Sequence, residues 1–267
     1  MRRTEAMEQN NTSAVENTQQ SSVNTSGNKI IVFSNQKGGV GKTTLCALFA
    51  NFLTFVKGVQ VFVVDGDPQI ALTDHRRTDL EKLTEEFPGE DPEEHVGYVI
   101  SQASLDNGND TSELMMGLRG QDFTSIIDSP GSLSEEGMMP ILANCDFIIV
   151  PLTYDEDTLK VTRNFMHLIY LLKKNYPQIK SRLIFLPNRK HFNRGTAAEN
   201  ELWKKSDEYF SNFGIVLSDH KIKDVKPVQN YDTVSISKAQ LDYVQPAFEK
   251  IFNIIYGGQT DGNENKE

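Results

Sequence analysis

Cysteine is scarce in this chain: two in 267 residues, Cys46 and Cys145, far apart and in no ligand-like spacing. That excludes a disulfide framework and a cysteine-held metal cluster, and predicts two reduced, buried thiols in a cytoplasmic protein. Long apolar runs are also lacking. None approaches the roughly 18 residues of a membrane span, and the basic start Met1-Arg2-Arg3 leads into no apolar stretch, so no secretory signal is expected. No internal repeat is visible. Positive charge is in deficit, with a formal net charge of -10, which argues against wholesale nucleic-acid binding.

The charge is polarised along the chain. Asp79 to Glu94 holds eight acids and one base, Lys82, a net of -7. Lys173 to Lys226 holds twelve Lys/Arg and six Asp/Glu, a net of +6, with Lys204, Lys205, Lys221, Lys223 and Lys226 among them. An anionic partner would meet the second half.

Residues 1–27 are rich in Asn, Ser, Thr, Gln and Glu and carry almost no large apolar residue. Such a segment cannot bury enough surface to offset its ordering entropy, so a disordered tail is expected there and again over 257–267. Between the tails, over 28–256, short apolar runs alternate with helical patterns. Strands are expected at Lys29–Ser34, Val59–Asp65, His95–Ile100, Phe123–Asp128, Asp146–Pro151, Ser181–Pro187 and Ile215–Leu217. Helices are expected at Lys42–Val56, Thr73–Glu86, Ser112–Leu118, Ser134–Ala143, Glu156–Asn175, Thr196–Asn212 and Ser237–Ile255. This alternation predicts a three-layer α/β domain with a mostly parallel, twisted sheet flanked by helices. Ligands sit at the carboxyl ends of such strands. Three strands end in polar clusters, Asn35-Gln36-Lys37, Asp65-Gly66-Asp67 and Asp128-Ser129, which would surround one site.

The first strand runs into Gln36-Lys37-Gly38-Gly39-Val40-Gly41-Lys42-Thr43-Thr44 and then into a helix, the context a phosphate-binding loop requires. The glycines let backbone N–H groups turn inward as an anion nest, and the helix N-terminus adds its dipole. Lys42 reaches the β- and γ-phosphates, Thr43 is placed to ligate Mg²⁺, and Thr44 supports the α-phosphate side. The strict pattern G-x-x-x-x-G-K-[ST] fails at its first glycine, which is Gln36 here. The loop instead resembles the deviant Walker A motif K-G-G-x-x-K-[ST] of the ParA/MinD group of P-loop ATPases, matched from Lys37 to Thr43. The form N-Q-K-G-G-V-G-K-T is similar to the ParA (Soj) branch, including members carried by plasmids and conjugative elements. The resemblance implies ATP and Mg²⁺ as cofactors, an ATP-sandwiched homodimer, and Lys37 reaching across it to the partner's nucleotide.

Two acidic motifs follow. Asp65-Gly66-Asp67-Pro68-Gln69 places two carboxylates at a strand end; one can hold a Mg²⁺-bound water and the other can position the attacking water. The motif resembles D-x-D-P-Q of ParA proteins, which implies a catalytic Asp67 and a metal-shell Asp65. Phe123 to Gly131 ends a buried strand at Asp128, where an unpaired carboxylate would be expensive and a nearby Mg²⁺ explains it. It resembles Walker B and switch II, which places Asp128 at the metal. Asn188, ending Leu186-Pro187-Asn188, matches by resemblance an asparagine that contacts the adenine edge; a turn or capping asparagine is an equal reading from the residues alone.

The reading is an ATP-hydrolysing, ParA-like partitioning ATPase, cytoplasmic and nucleoid-associated, with a ParB-like or other stimulating partner and nonspecific DNA binding in the ATP state. No helix-turn-helix pattern precedes the loop, so operator binding is not expected. The alternative is a MinD-like membrane-cycling ATPase, which needs a basic amphipathic terminal helix. Here Pro246 to Ile255 has one lysine and an acidic tail beyond it, so a helix packed on the core and no membrane contact are expected. ATP-dependent ligases share this type of loop, but the D-P-Q form and Lys37 argue against them.

Overall fold

The computed structural model describes residues 28–132, 134–189 and 196–257. The tails expected over 1–27 and 257–267 therefore lie outside the described residues, Gly257 apart.

Seven strands form one sheet: β1 (Ile30–Phe33), β2 (Val61–Asp65), β3 (Val99–Gln102), β4 (Thr124–Asp128), β5 (Phe147–Leu152), β6 (Arg182–Pro187) and β7 (Ile215–Val216). Their order is β3-β2-β4-β1-β5-β6-β7, and every pairing is parallel. The central strands are buried on both faces, which is why they read as unbroken apolar runs. Side chains alternate between the faces. Ile31 and Phe33 of β1 join one core, and Ile30 and Val32 join the other.

On the first face lie α1 (Lys42–Asn51), the start of α2 (Ala71–Glu86) and the terminal α8 (Lys238–Tyr256). Phe49 and Phe52 pack on Phe248, with centroids 5.1 and 5.6 Å apart. Val244, Phe248, Ile251, Phe252 and Ile255 of α8 are all buried. The apolar face of α8 is thus spent on the core, as expected for a packed terminal helix. Among the described residues no helix is long and apolar enough to cross a membrane. On the second face lie α3 (Gly108–Arg119), α4 (Glu135–Asn144), α5 (Glu156–Asn175) and α6 (Ala197–Ser211).

Several expected boundaries move. β3 begins at Val99 rather than His95, because Pro92–His95 closes a 3-10 turn whose Asp91 carboxylate accepts from Glu93 N. α3 begins at Gly108 rather than Ser112, because Asn107 caps it and accepts from Asn109 N. The helix expected over Lys42–Val56 is α-helical only to Asn51 and ends in a π turn, Phe52–Val56. A short α7 (Lys226–Gln229) lies where the sequence pattern predicts no element.

Two charge expectations are also refined. Asp79, the first acid of the negative run, is 2% exposed and bonded to Thr233. Lys205 pairs with Glu201 (2.7 Å), Lys204 with Glu208 (3.9 Å) and Lys221 with Asp207 (3.6 Å), so part of the basic half is locally neutralised.

Candidate active site

The polar ends of β1, β2 and β4 meet at one cleft of about 520 Å³. The glycine loop lines it with Gly38, Gly39, Gly41, Lys42, Thr43 and Thr44; the loop after β2 adds Asp67 to Gln69, and the turn after β4 adds Pro130 to Ser132. Of the three polar clusters expected at strand ends, only Asp67 lines this cleft itself; the other two lead into the glycine loop and the turn that do.

The glycine loop depends on backbone conformations closed to most residues. Gly39 and Gly41 have φ of 77° and 95°. A Cβ on Gly41 would also stand 2.3 Å from Asn188 Nδ2. The loop is tied down at its start by Asn35, which is 1% exposed. Its Nδ2 donates to Pro151 O (2.8 Å) and Thr162 Oγ1 (2.9 Å), and its Oδ1 accepts from Lys37 N (3.1 Å). Asn35 belongs to a cluster that the sequence singled out, but its anchoring role needs β5 and α5 beside it. The Lys37 side chain is half-buried and is not among the residues that line the cleft.

Lys42 is 8% exposed. Burial lowers its pKa, and the carboxylates of Asp128 and Asp67 oppose that. The two acids favour the charged ammonium, and an ammonium held with little water can make strong, charge-assisted hydrogen bonds to phosphate oxygens.

The three acids differ in how they are held. Asp65 is committed to protein: its Oδ2 accepts from Thr73 N (2.9 Å) and Thr73 Oγ1 (2.8 Å). Thr73 lies in the first turn of α2, whose N-cap Ile70 offers no side-chain acceptor, so Asp65 caps the helix from the neighbouring strand. Asp67 is half-buried, and its Oδ1 accepts from Gln69 N (2.9 Å). Asp128 is 1% exposed, and neither carboxylate oxygen has a hydrogen-bond partner. Burial pushes its pKa up to about 7; the nearby Thr43 hydroxyl and Lys42 ammonium oppose the rise, and Asp65 and Asp67 add to it. Thr43 is close enough to favour the charged form without making a bond of normal geometry to either oxygen.

Such an orphaned carboxylate beside a threonine hydroxyl fits a divalent cation. Among the described residues no group of three or more His, Cys, Asp or Glu could hold a metal alone. Mg²⁺ keeps several waters and takes ligands from phosphates, so it needs few protein ligands.

A second cavity of about 70 Å³ adjoins the first, lined by Gly41, Thr44, Asn188, Arg189, Lys223, Asp224, Val228 and Gln229. Asn188 is 3% exposed; its Nδ2 donates to Val40 O (2.8 Å), while its Oδ1 is buried without a partner. The asparagine therefore holds the glycine loop and keeps one acceptor free. Arg189 lines both cavities and has a left-handed φ of 51°. No motif singles it out, although it directly follows Asn188.

Cys46 lies in α1 behind the loop and is fully buried; burial, with Asp128 and Asp65 adding, raises its pKa well above that of a free thiol. It is an inert core residue.

Residues 28–109 match the AAA_31 family, described as an AAA domain. The chain is 26% identical over 154 residues to "Maintenance of carboxysome distribution protein A" of Halothiobacillus neapolitanus, a match spanning 58% of this chain and 64% of that relative. Among solved structures, a variant of Cyanothece McdA in complex with ATP superposes with a TM-score of 0.64 at 17% identity, covering 86% of this chain and 97% of that one. Cobyrinic acid a,c-diamide synthase from Mycobacterium smegmatis, with bound ADP and magnesium, gives 0.61 at 22% identity, covering 86% and 96%. A Borrelia burgdorferi plasmid partition protein bound to AMPPNP gives 0.55 at 20%, covering 86% and 98%. The fold is thus shared with a partition protein and a synthase alike, and the choice between them falls to the site.

Proposed function

We propose that this chain is a ParA/MinD-type P-loop ATPase that binds and hydrolyses ATP with Mg²⁺ and uses that cycle to position a large cargo, in its specific form a plasmid, a chromosome or mobile-element DNA. One observation carries the reading: Lys42, Thr43 and Asp67 line one cleft, and near all three lies Asp128, a buried carboxylate with no hydrogen-bond partner.

Each residue takes its role on that reading. The backbone of Gly38 to Thr44 cradles the phosphates, Lys42 neutralises the β- and γ-oxygens, and Thr44 supports the α-phosphate side. Thr43 and Asp128 hold the Mg²⁺, which when bound offsets charge on the phosphates. Asp65 acts on the metal's water shell only through the lone pairs left by Thr73. Asp67 orients the attacking water. The base lies in the smaller cavity, where Asn188 Oδ1 accepts from the adenine amino group.

By family likeness, ATP brings two chains together as a homodimer, with each Lys37 entering the partner's site. Hydrolysis is stimulated by a ParB-like or other partner. The dimer acts in the cytoplasm, on the nucleoid, through sequence-independent DNA contacts of the basic half. The burial of the α8 apolar face favours this over a membrane-cycling role.

The test is a pair of variants. Lys42→Ala should abolish ATP–Mg²⁺ binding in isothermal titration, and unchanged affinity would sink the assignment. Asp67→Ala should bind ATP without turning it over and accumulate as a dimer in light scattering. Normal hydrolysis by that variant would remove Asp67 from its role.

A further inference from the structure

Helix α2 carries two charged side chains on its inner face, Arg76 and Asp79, which are 7% and 2% exposed. Burying such groups is costly unless every polar atom is matched. Here both converge on Thr233, itself fully buried, in the loop between α7 and α8. Arg76 Nε donates to Thr233 Oγ1 (3.0 Å) and Nη2 to Thr233 O (2.8 Å). Asp79 Oδ2 accepts from Thr233 N (2.8 Å) and from Thr233 Oγ1 (2.9 Å). The N–H, hydroxyl and carbonyl of one threonine are all taken by one helix. Arg76 Nη1 also donates to Tyr98 O (3.0 Å), and Tyr98 Oη donates to Asn51 Oδ1 (2.9 Å) at the end of α1. Asn51 Nδ2 in turn donates to Asp232 O (2.8 Å) and Ser235 O (2.6 Å).

The clamp joins the two sides of the nucleotide cleft. Loop 231–235 directly follows α7, whose Val228 and Gln229 line the smaller cavity. The other end of the clamp is α2, whose first turn is fixed by Asp65 and whose entry passes through Asp67 and Ile70. Ile70 holds a left-handed φ of 47°, a strained conformation for a β-branched residue. Such strain persists only where the surroundings over-determine it, and the placement of α2 is one of those constraints. A slide or rotation of α2 would carry the Asp67 loop with it.

We infer that Arg76 and Asp79, through Thr233, are positioning residues for hydrolysis: they fix α2 so that Asp67 stands over the phosphates, and they tie that placement to the segment lining the base cavity. This rests on the ATPase reading above. Displacements of about 1 Å far from the reacting atoms can cost on the order of a hundredfold in rate, so the clamp should act on turnover more than on ATP affinity.

The test compares Thr233→Val, Thr233→Ser and the wild-type chain in single-turnover ATP hydrolysis and ATP–Mg²⁺ titration. Valine keeps the shape and the two backbone bonds but removes the hydroxyl shared by Arg76 and Asp79. Turnover should fall roughly ten- to hundredfold with ATP affinity within about threefold of wild type, and serine should restore it. Hydrogen exchange at 71–74, the first turn of α2, should be faster in the valine variant than in the serine variant. If Thr233→Val does not fold, Arg76→Lys, which keeps the charge but cannot span three acceptors, carries the same comparison. Wild-type turnover in a folded Thr233→Val, or a loss of ATP affinity equal to the loss of turnover, would overturn the positioning role. If wild type itself binds no ATP, or Lys42→Ala binds it normally, the ATPase reading fails instead.

Discussion

Asp65 and Asp128 stand opposite each other in the register of β2 and β4, yet only Asp65 has its carboxylate satisfied by protein. The pairing brings two acids to one end of a buried sheet, and the helix beyond β2 then separates their tasks. Asp65 is consumed in capping α2. Asp128 keeps both oxygens for something the polypeptide does not supply.

The first prediction follows from that difference. Asp128→Ala should remove the Mg²⁺-dependent part of ATP affinity, leaving the same affinity with Mg²⁺ or with EDTA, while wild type binds more tightly with Mg²⁺. Asp65→Ala should act mainly on stability, costing about 1–2 kcal/mol through the lost cap. Titration calorimetry and urea unfolding of the two variants check both halves. A Mg²⁺ response intact in Asp128→Ala would take the metal away from that residue.

A second prediction concerns pH. Burial disfavours the charge on Asp79, but the Lys82 ammonium and the two donors of Thr233 outweigh it and hold the carboxyl below its ordinary value. The ionised form is therefore the one that stabilises the fold. That stabilisation is complete above the ordinary aspartate value of about 3.9 and disappears as pH falls through the lower folded value. Asp79→Asn should cost about 1–3 kcal/mol at neutral pH and progressively less in acid. Urea unfolding on either side of the aspartate range reads this, and a cost independent of pH would contradict it.

Phe248 supplies the third. It lies fully buried between Phe49 and Phe52. Phe248→Ala should destabilise by about 3–5 kcal/mol, and the wild-type chain should not co-sediment with anionic vesicles. A small cost together with vesicle binding would mean that α8 leaves the core for lipid.

The fourth concerns DNA. Lys204 and Lys205 pair with acids of their own helix, but those side chains are well exposed, and exposed pairs hold each other weakly enough for phosphate to compete. Duplex DNA of random sequence should bind only with ATP–Mg²⁺ and weaken steeply with salt, because dimerisation doubles the phosphate contacts. Lys204→Ala with Lys205→Ala should lower the salt slope by about 2 per protomer. Filter binding at several salt concentrations measures this. Equal binding with and without ATP would refute the link to dimerisation.

Much of the site is local and was therefore legible in the chain. The phosphate loop is contiguous from Lys37 to Thr44, and its glycines and following helix are visible in the chain, although the Asn35 and Asn188 bonds that hold it are not. Asp67 and Asp128 sit at the ends of apolar strands, a pattern visible without knowing the strand order. The parallel α/β architecture follows from the alternation of buried runs and helical periods, and the packed fate of α8 follows from the apolar stretch Pro246 to Ile255 with its single lysine.

The tertiary structure decided what depends on partners distant in sequence. That Asp65 caps a helix while Asp128 stays unpartnered depends on where α2 begins, and Ile70, a poor residue for that conformation, gives no local signal of it. Asp79 reads as one more acid in a negative run until Thr233, far along the chain, is laid against it. Arg189 comes to line the cleft only because β6 ends beside the glycine loop. Sequence dictates elements and strand-end chemistry because those rest on short-range sterics and burial patterns. The assignment of each polar atom to its partner waits on packing, because only the folded chain removes the water that would otherwise satisfy it.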